Sequence, residues 1–282
     1  MKRSCFGRAT RRLFLAAIVS AVAVLAPALA RAQTIASIKS AGVLKVGSQV
    51  AQVPWGFTDA SGKLTGFDIQ VSELLAKDLG VKAEFTPVTP ANRIAALLTG
   101  QVDVLAAVIG IFPDRQKVVL FSRPYTNNDT IFIGRVGMNV HGYADLKGVR
   151  VGVPRGTPQD IAVTKGAPAA IIQRFDDDAS TVQALISGQV DVIGGASTQL
   201  RNIAEVAGPG KFDQKFIVAR AFNAFAVRPQ SRELVDYLND FIARKIASGE
   251  LPALYKKWFG AELPELPTTG EGDAPLPRAI TN

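Results

Sequence analysis

The side chains of this sequence that could do chemistry are better suited to holding an anion than to catalysis. Arg115 carries a planar guanidinium that matches a carboxylate with two parallel hydrogen bonds and stays charged at any working pH. Thr157 precedes Pro158 at a predicted helix start, where free backbone N–H groups and the helix dipole favour an anion. Thr157 and Asp160 also have the spacing of a capping box, so Thr157 can cap its own helix. For Arg115 the alternative is a surface ion pair with Asp114.

Side chains with the spacing of a catalytic or metal site do not stand out in the sequence. Asp103 and Asp191 occupy equivalent places in an internal repeat, but each is expected to be a structural residue where a strand begins. His141, the one histidine, precedes Gly142 in a predicted loop and is expected at the surface. No Ser/His/Asp set and no phosphate-binding glycine loop is recognisable. We therefore predict no catalytic residue, no metal and no cofactor.

An internal repeat defines the elements that must position these side chains. The phrase ALLTGQVDVLAA at residues 96–107 returns as ALISGQVDVIGG at residues 184–195. Each copy has an apolar helix end, a helix-stopping glycine and a Val-rich run that is typical of a buried strand. A spacing of about 90 residues is too long for a solenoid, whose units repeat every 20–50 residues or so. The repeat therefore predicts two similar α/β lobes with a cleft between them.

Strands alternate with helices along the chain, which predicts mainly parallel sheets covered by helices. Predicted helices include 68–79, 89–100, 181–187 and 231–247, and predicted strands include 81–85, 102–108, 169–175 and 190–194. In such sheets ligands bind outside the carboxyl ends of the strands. This rule selects residues 108–115 and 195–199, which follow the two copies of the repeat.

The start of the chain has the layout of a secretory signal peptide. Basic residues precede an apolar run from Leu13 to Leu25, and small-residue cleavage motifs follow. Residues 1–32 are therefore predicted to be a twin-arginine-like signal peptide that is cleaved near Ala30 or Ala32 and directs the chain to the periplasm. An uncleaved membrane anchor is the alternative.

Cleavage would change both the charge and the cysteine count of the chain. The formal net charge of the whole sequence is +8, and residues 1–32 hold six Lys or Arg and no Asp or Glu, which leaves +2. Nucleic-acid binding thereby loses its main compositional support. Cys5 is the only cysteine, so the exported chain is expected to use no disulfide.

A series of motifs in a fixed order is similar to one known protein family. The motifs are VPW at 53–55, GKLTGFD at 62–68, FPDRQKVV at 112–119, FSRPY at 121–125, DLKG at 145–148, GV at 152–153, GT at 156–157 and LYKKWFG at 254–260. Over about residues 36–262 the chain resembles the periplasmic solute-binding proteins of polar amino-acid ABC transporters, solute-binding protein family 3. The resemblance implies an α/β, two-lobed periplasmic-binding-protein fold of type II, with mainly parallel sheets flanked by helices and two crossover hinge strands.

The resemblance also implies where the lobes begin and end. Lobe 1 is expected to comprise residues 33–128 and 223–264, and lobe 2 to comprise residues 129–222. The hinge strands are expected near 127–133 and 219–226, and residues 265–282 are expected to form a flexible tail.

Four positions match family positions at the ligand, and Trp55 lies in a predicted loop near the mouth of the cleft. Arg115 aligns with the family arginine that pairs with the α-carboxylate of the ligand, and Thr157 lies in the loop that binds this carboxylate from lobe 2. Gly110 stands where relatives commonly have Thr and can still offer its N–H. Trp55 is expected either to form an aromatic wall of the cleft or to pack inside its lobe. Gln52 stands where relatives often place an aromatic side chain over the ligand.

Ala196 departs from the family pattern, because relatives usually have an aspartate here that pairs with the α-ammonium of the ligand. An alanine cannot replace it, and a buried ammonium without a partner is costly. Either Ser197, Thr198 or the carbonyl of Val108 accepts the ammonium, or the ligand has no free α-amino group. We therefore expect a small carboxylate-bearing solute that need not be a standard amino acid. Arg93, near the start of the repeated helix, is expected either to meet an acidic group of the ligand or to be solvated.

The function that the resemblance implies is a receptor that closes its lobes on an amino acid or amino-acid-like solute. It would deliver this solute to the membrane permease of an ABC transporter, as a monomer and without catalysis. The alternative is a periplasmic enzyme on the same fold, of the cyclohexadienyl dehydratase type, which needs a positioned proton donor in the cleft. The segment at Gly195 and Ala196 offers no such donor.

Overall fold

The computed structural model describes residues 34–271 and the backbone of residues 278–279. The predicted signal peptide, with Cys5 and both cleavage positions, lies outside the described residues. Within them, no helix combines the length and the apolar character that crossing a bilayer requires.

The first part of the described chain alternates short strands and helices. Its elements are α1 (Ile35–Ala41), β1 (Val43–Ser48), β2 (Ala51–Gln52), β3 (Gly56–Thr58), β4 (Leu64–Thr65), α2 (Phe67–Leu79), β5 (Lys82–Pro87), α3 (Arg93–Leu98), β6 (Val104–Leu105) and α4 (Pro113–Gln116).

The second part contains two long strands that enclose a further set of strands and helices. Its elements are β7 (Leu120–Arg135), a 3-10 turn (Tyr143–Leu146), β8 (Arg150–Pro154), α5 (Pro158–Gly166), β9 (Ile171–Phe175), α6 (Asp178–Ile186), β10 (Val192–Ala196), α7 (Gln199–Ala207), β11 (Phe212–Val227), α8 (Arg232–Ala247), α9 (Glu250–Phe259) and β12 (Arg278–Ala279).

The main sheet has the strand order β5-β1-β6-β11-β7-β10-β8-β9, and β12 pairs with β11. Strands β5, β1 and β6 are mutually parallel, as are β10, β8 and β9. The two parallel groups are joined by β7 and β11, which pair antiparallel with each other along most of their length. Strands β2, β3 and β4 form a small separate antiparallel sheet. The predicted fold class is thus confirmed, and the two long strands contain both segments predicted as hinges.

Four hydrophobic clusters form the core and follow the division of the sheet. Two draw on residues 35–125 and 222–263, and the other two draw on residues 131–218. The clusters therefore fall on the parts of the chain predicted as lobe 1 and lobe 2. The lobe boundaries and the hinge motion stay predictions.

The repeat gives the same local structure twice, for the same physical reason. Gly100 and Gly188 end the repeated helices with φ angles of 78° and 77°, a left-handed conformation that favours glycine. Three residues later, the Asp103 carboxylate accepts the N–H of Lys45 at 3.0 Å, and the Asp191 carboxylate accepts the N–H of Arg150 at 3.1 Å. Both aspartates thus hold the neighbouring parallel strand, so the structural interpretation of this pair is confirmed.

Two predicted elements are shorter than the sequence indicated. The helix predicted from Thr89 begins at Arg93, because the side chains of Thr89 and Asn92 bond to each other's backbone N–H and form a turn first. The strand predicted over 102–108 is regular only at β6, although Asp103 and Ala106 also donate backbone hydrogen bonds to β1. The backbone then turns at Val108, whose φ is 51°.

The first residues of the predicted tail lie against the body of the protein. Leu266 is buried, and the side-chain amide of Gln116 donates to the carbonyl of Gly270 at 3.1 Å. The flexibility of residues 265–282 stays a prediction.

Candidate ligand-binding site

A cavity lined by charged and amide side chains lies at the carboxyl ends of the parallel strands. Residues just after β1, β5, β6, β8 and β9 line it, as do the last two residues of β10. The lining residues with polar side chains are Gln49, Gln52, Arg93, Arg115, Asn128, Thr130, Thr157, Gln159, Asp178 and Asn223. The cavity volume is about 40 Å³, so the walls must move apart to admit more than a few atoms. The position agrees with the rule that ligands bind at this end of parallel strands.

The cavity brings together seven of the nine residues that the sequence analysis named for the site. These are Gln52, Arg93, Val108, Gly110, Arg115, Thr157 and Ala196. Trp55 and Ser197 do not line it.

Trp55 lies in the hydrophobic core instead of forming a wall of the cavity. Its side chain is fully buried and packs edge-on against Phe67, with ring centroids 5.8 Å apart, and against Phe259 at 4.8 Å. Its indole N–H donates to the hydroxyl of Thr198 at 3.0 Å. The packing alternative is therefore what the structure shows.

Ser197 lies outside the cavity lining, and its backbone is bonded within the chain. It follows β10, is half-buried, and its backbone N–H donates to the carbonyl of Asp129 at 2.9 Å. The next residue, Thr198, is occupied by the indole of Trp55. Neither hydroxyl is placed as the substitute acceptor that the sequence analysis considered.

Arg115 is a half-buried cation with no carboxylate partner among residues 34–271. One guanidinium nitrogen donates to the carbonyl of Gly110 at 2.9 Å, and the group lies 5.0 Å from the centroid of the Phe112 ring. Asp114 is exposed and pairs with Lys117 at 2.9 Å, so the surface pair considered for Arg115 does not form. Burial lowers the pKa of Arg115, and the positive charge of Arg93 lowers it further. An anion between the two guanidinium groups would relieve both effects.

Arg93 is the second cation of the cavity and is 2 % exposed, so the solvated alternative is wrong. One of its terminal nitrogens donates to the carbonyls of Ala107 at 2.6 Å and Val108 at 3.3 Å. Its Nε has no hydrogen-bond partner among the described residues. Burial lowers its pKa to about 10, and the carboxylates of Asp178 and Asp68 offset part of that effect.

Asp68 holds the backbone of the cavity in a strained conformation. Its carboxylate accepts the N–H of Val108 at 2.8 Å and the hydroxyl of Tyr125 at 2.9 Å. Val108 is β-branched and has a φ of 51°, a conformation that such residues rarely adopt and that is typical of functional sites. The strain directs the Val108 carbonyl toward Arg93.

Thr157 combines its two predicted roles only in part. It is the N-cap of α5, and its hydroxyl accepts the N–H of Asp160 at 3.3 Å, which confirms the cap. The hydroxyl also donates to the carbonyl of Pro154 at 2.7 Å, so its one proton is used inside the protein. What Thr157 offers to the cavity is therefore its backbone N–H and the end of α5.

Asp178 is a cavity residue that the sequence reasoning missed. It is the first residue of α6, follows β9, and is 4 % exposed. Burial raises its pKa to about 6, and the hydrogen bond from Gln199 and the charge of Arg93 act against that rise. The sequence does contain a signal for this residue, because Asp178 follows the strand predicted at 169–175, and ligands bind just after such strands.

Two asparagines on the long strands complete the lining. Asn223 on β11 is 1 % exposed, and its side-chain nitrogen has no hydrogen-bond partner in the described part of the chain. The side-chain oxygen of Asn128 on β7 is also buried and has no hydrogen-bond partner among the described residues. Buried polar atoms are normally paired, so these unpaired groups indicate that a polar ligand or water completes them.

Residues 34–271 contain no group of three or more His, Cys, Asp or Glu that could hold a metal ion. His141 is exposed in its loop and bonds to the side chain of Asn139 at 2.7 Å, as expected for a surface residue.

Comparison with known proteins identifies the family. The sequence profile of the bacterial extracellular solute-binding proteins, family 3, matches residues 44–261. The chain belongs to this family. The L-cystine-binding protein TcyJ of Escherichia coli is 30 % identical over 232 residues, which cover 80 % of this chain and 86 % of that protein.

Solved family-3 structures have the same fold. A variant of ArgBP from T. maritima superposes with a TM-score of 0.75 at 30 % identity, covering 80 % of this chain and 99 % of that one. An ancestral amino-acid-binding protein, described as a precursor of cyclohexadienyl dehydratase, gives a TM-score of 0.74 at 31 % identity, with 80 % and 99 % covered. The similar solved structures thus include binding proteins, one of which is described as the precursor of an enzyme.

Proposed function

We propose that this family-3 protein is a periplasmic receptor that captures a small amino acid or amino-acid-like solute and delivers it to the membrane permease of an ABC importer. Its predicted signal peptide would be cleaved near Ala30 or Ala32, and the mature chain would act as a monomer. We expect it to need no metal or cofactor and to bind no nucleic acid.

The observation that carries this proposal is the cation pair in the cavity. Arg93 and Arg115 line one cavity, lie close enough for each charge to oppose the other, and Arg115 has no carboxylate partner among the described residues. Bringing a buried cation and a half-buried cation together is costly unless an anion joins them. A ligand carboxylate held by Arg115, with further contacts from the backbone N–H groups of Gly110 and Thr157, supplies that anion.

Lobe closure is supported by the position of the cavity. The lining residues come from both parallel strand groups and from the two long strands between them. A volume of about 40 Å³ is too small for a whole amino acid, so we expect the groups to separate when the ligand enters. The long strands β7 and β11 are the proposed hinge.

The experiment is a thermal-shift and calorimetry screen of the mature chain against L-amino acids and small organic acids. Stabilisation by at least one carboxylate, with a decrease in the radius of gyration on binding, is expected. A protein that no amino acid and no organic acid stabilises would contradict the proposed function.

A dehydratase on the same fold is the second candidate, and Asp178 favours it. The sequence analysis found no proton donor beside Ala196, but the structure places this buried carboxyl in the cavity, with its pKa raised to about 6. A protonated carboxyl is the kind of group that such an elimination needs. Incubation with prephenate or arogenate separates the candidates: product formation that Asp178→Asn abolishes supports an enzyme, and unchanged substrate supports a receptor.

A further inference from the structure

Ala196 leaves the ammonium group of an amino acid without the carboxylate that relatives usually provide. The cavity nevertheless contains a carboxylate close to this position. Asp178 and Ala196 both line the cavity, and one side chain bridges them, that of Gln199.

Gln199 links the Asp178 carboxylate to the backbone of Ala196 by two hydrogen bonds, one to each. Its side-chain nitrogen donates to Oδ1 of Asp178 at 2.7 Å, and its side-chain oxygen accepts the backbone N–H of Ala196 at 3.1 Å. Gly195 makes room for this arrangement, because a Cβ atom at this position would overlap the oxygen of Gln199. The side-chain amide is therefore fixed at both ends, and it orients Asp178.

Only one oxygen of the Asp178 carboxylate is used in this arrangement. Oδ2 has no hydrogen-bond partner among the described residues, although the side chain is 4 % exposed. A buried carboxylate is stable when its remaining lone pairs meet a donor, best a cationic one. The cavity thus offers a second polar group that is incomplete without a ligand.

The charges of the cavity balance for a zwitterion. Asp178 and Asp68 both lie near the buried Arg93 and offset part of its charge, so two cations and two carboxylates are grouped at the cavity. Arg115 remains as the cation without a carboxylate, and Asp178 remains as the anion with a free oxygen. The carboxylate of a simple organic acid would pair with Arg115 and leave Asp178 without a partner. An amino acid has a carboxylate for Arg115 and an ammonium for Asp178.

We propose that Asp178, oriented by Gln199, accepts the ammonium group of the ligand in place of the missing aspartate at position 196, and that the solute is therefore an amino acid with a free α-amino group. This inference rests on the proposed function and specifies the ligand class of the same site.

The test compares L-amino acids with the L-2-hydroxy acids that have the same side chains, in wild-type protein and in Asp178→Asn. The wild type should bind the best amino acid roughly 10- to 150-fold more tightly than its hydroxy acid, the range for one hydrogen bond to a charged group. Asp178→Asn should lose this preference, since its amide oxygen can still accept the bond from Gln199 but carries no charge. Its affinity for the hydroxy acid should fall by less than its affinity for the amino acid, because a neutral hydroxyl interacts with the carboxylate more weakly than an ammonium does.

Two further variants keep the test decisive. Asp178→Asn combined with Ala196→Asp returns a carboxylate to the family position and should recover the preference for the amine. Asp103→Asn removes a buried carboxylate that lies outside the cavity, and it should leave the preference unchanged. If Asp178→Asn unfolds, Ala196→Asp alone still reports: an ammonium next to both carboxylates relieves their repulsion, so amino-acid binding should not weaken, and weaker binding would overturn the inference.

The outcomes are distinct. A hydroxy acid that binds wild type as tightly as its amino acid, or an Asp178→Asn variant that loses both ligands equally, overturns the inference and leaves the proposed function intact. Failure of the wild type to bind any acid overturns the proposed function, and this inference with it.

Discussion

Replacing Arg115 by alanine should separate ligand affinity from protein stability. With a ligand bound, the guanidinium is proposed to make two charge-assisted hydrogen bonds to a carboxylate, each worth about 1.5–3 kcal/mol. Their loss amounts to about 3–6 kcal/mol, which corresponds to a roughly 100- to 10,000-fold weaker Kd. Isothermal titration calorimetry with the best ligand from the screen measures this change.

The ligand-free protein should barely respond to the same substitution. Arg115 donates one hydrogen bond, to Gly110, and its charge opposes that of Arg93. The lost bond costs about 1 kcal/mol, and the relieved repulsion offsets part of it. The free energy of unfolding should therefore change by less than about 1 kcal/mol, a shift in Tm of at most about 4 °C.

Arg244→Ala is the matched control and should show the opposite pattern. This guanidinium lies far from the cavity lining and bonds to both carboxylate oxygens of Asp78, at 2.8 and 2.7 Å. Its removal should leave Kd unchanged and lower stability by about 1 kcal/mol, because the arginine is half exposed. If Arg115→Ala binds within threefold of the wild type, the carboxylate does not bind Arg115 and the reasoning is refuted.

Three further outcomes are expected. Gly195→Ala should weaken amino-acid binding at least 10-fold in calorimetry, because its methyl group displaces the side chain that orients Asp178. Burial raises the folded-state pKa values of Asp68 and Asp178 to about 6, so between pH 4 and 6 the folded protein binds more protons than the unfolded chain. In ligand-free protein, the free energy of unfolding measured with urea should therefore fall as the pH rises from about 4 to 6, by on the order of 3 kcal/mol for each of the two carboxyls. Thr198→Val should weaken binding roughly 2- to 12-fold, because the bond from Trp55 joins the parts of the chain predicted as lobe 1 and lobe 2 and should favour closure.

Each of these outcomes has a control. Gly142→Ala adds a methyl group in open space and should leave affinity unchanged. Asp178→Asn should remove the contribution of this carboxyl to the decrease in stability between pH 4 and 6. A saturating amino acid should remove the same contribution, because an ammonium partner favours the ionised carboxylate and lowers its pKa. A flat stability profile between pH 4 and 6 would contradict the raised pKa values, and unchanged binding by Thr198→Val would show that its bond with Trp55 does not favour closure.

The fold was predictable because the repeat carries local signals that act within a few residues. Gly100 and Gly188 stop helices, and Asp103 and Asp191 fasten adjacent strands, so their spacing alone predicts each helix–strand unit. The failures arose where a distant contact decides the backbone. Val108 leaves its strand because Asp68, forty positions earlier, accepts its N–H, and no local pattern encodes this contact.

The site was predictable on its cationic side and not on its anionic side. The resemblance to family 3 predicted Arg115 and Thr157 as site residues because both occupy motif positions, and both line the cavity. The resemblance could not predict Asp178 as a site residue, because Asp178 does not occupy the position where relatives have their carboxylate. Trp55 stood in a family motif as well, but an indole suits a buried core as well as a cleft wall, and only its packing partners decide between them.

The substitutions between the two repeat copies explain how similar units bring opposite charges to one cavity. In the first copy the strand ends in alanines, and the carbonyl of Ala107 accepts a bond from Arg93, at the start of the repeated helix. In the second copy the equivalent residue is Gly195, which leaves space for Gln199 to orient Asp178, at the start of the other repeated helix. A cation thus begins one helix and an anion begins the other. A positive charge at a helix N-terminus is unfavourable with respect to the helix dipole, so the dipole of α3 does not stabilise Arg93. The position of Arg93 is best explained by the charge that it brings to the cavity.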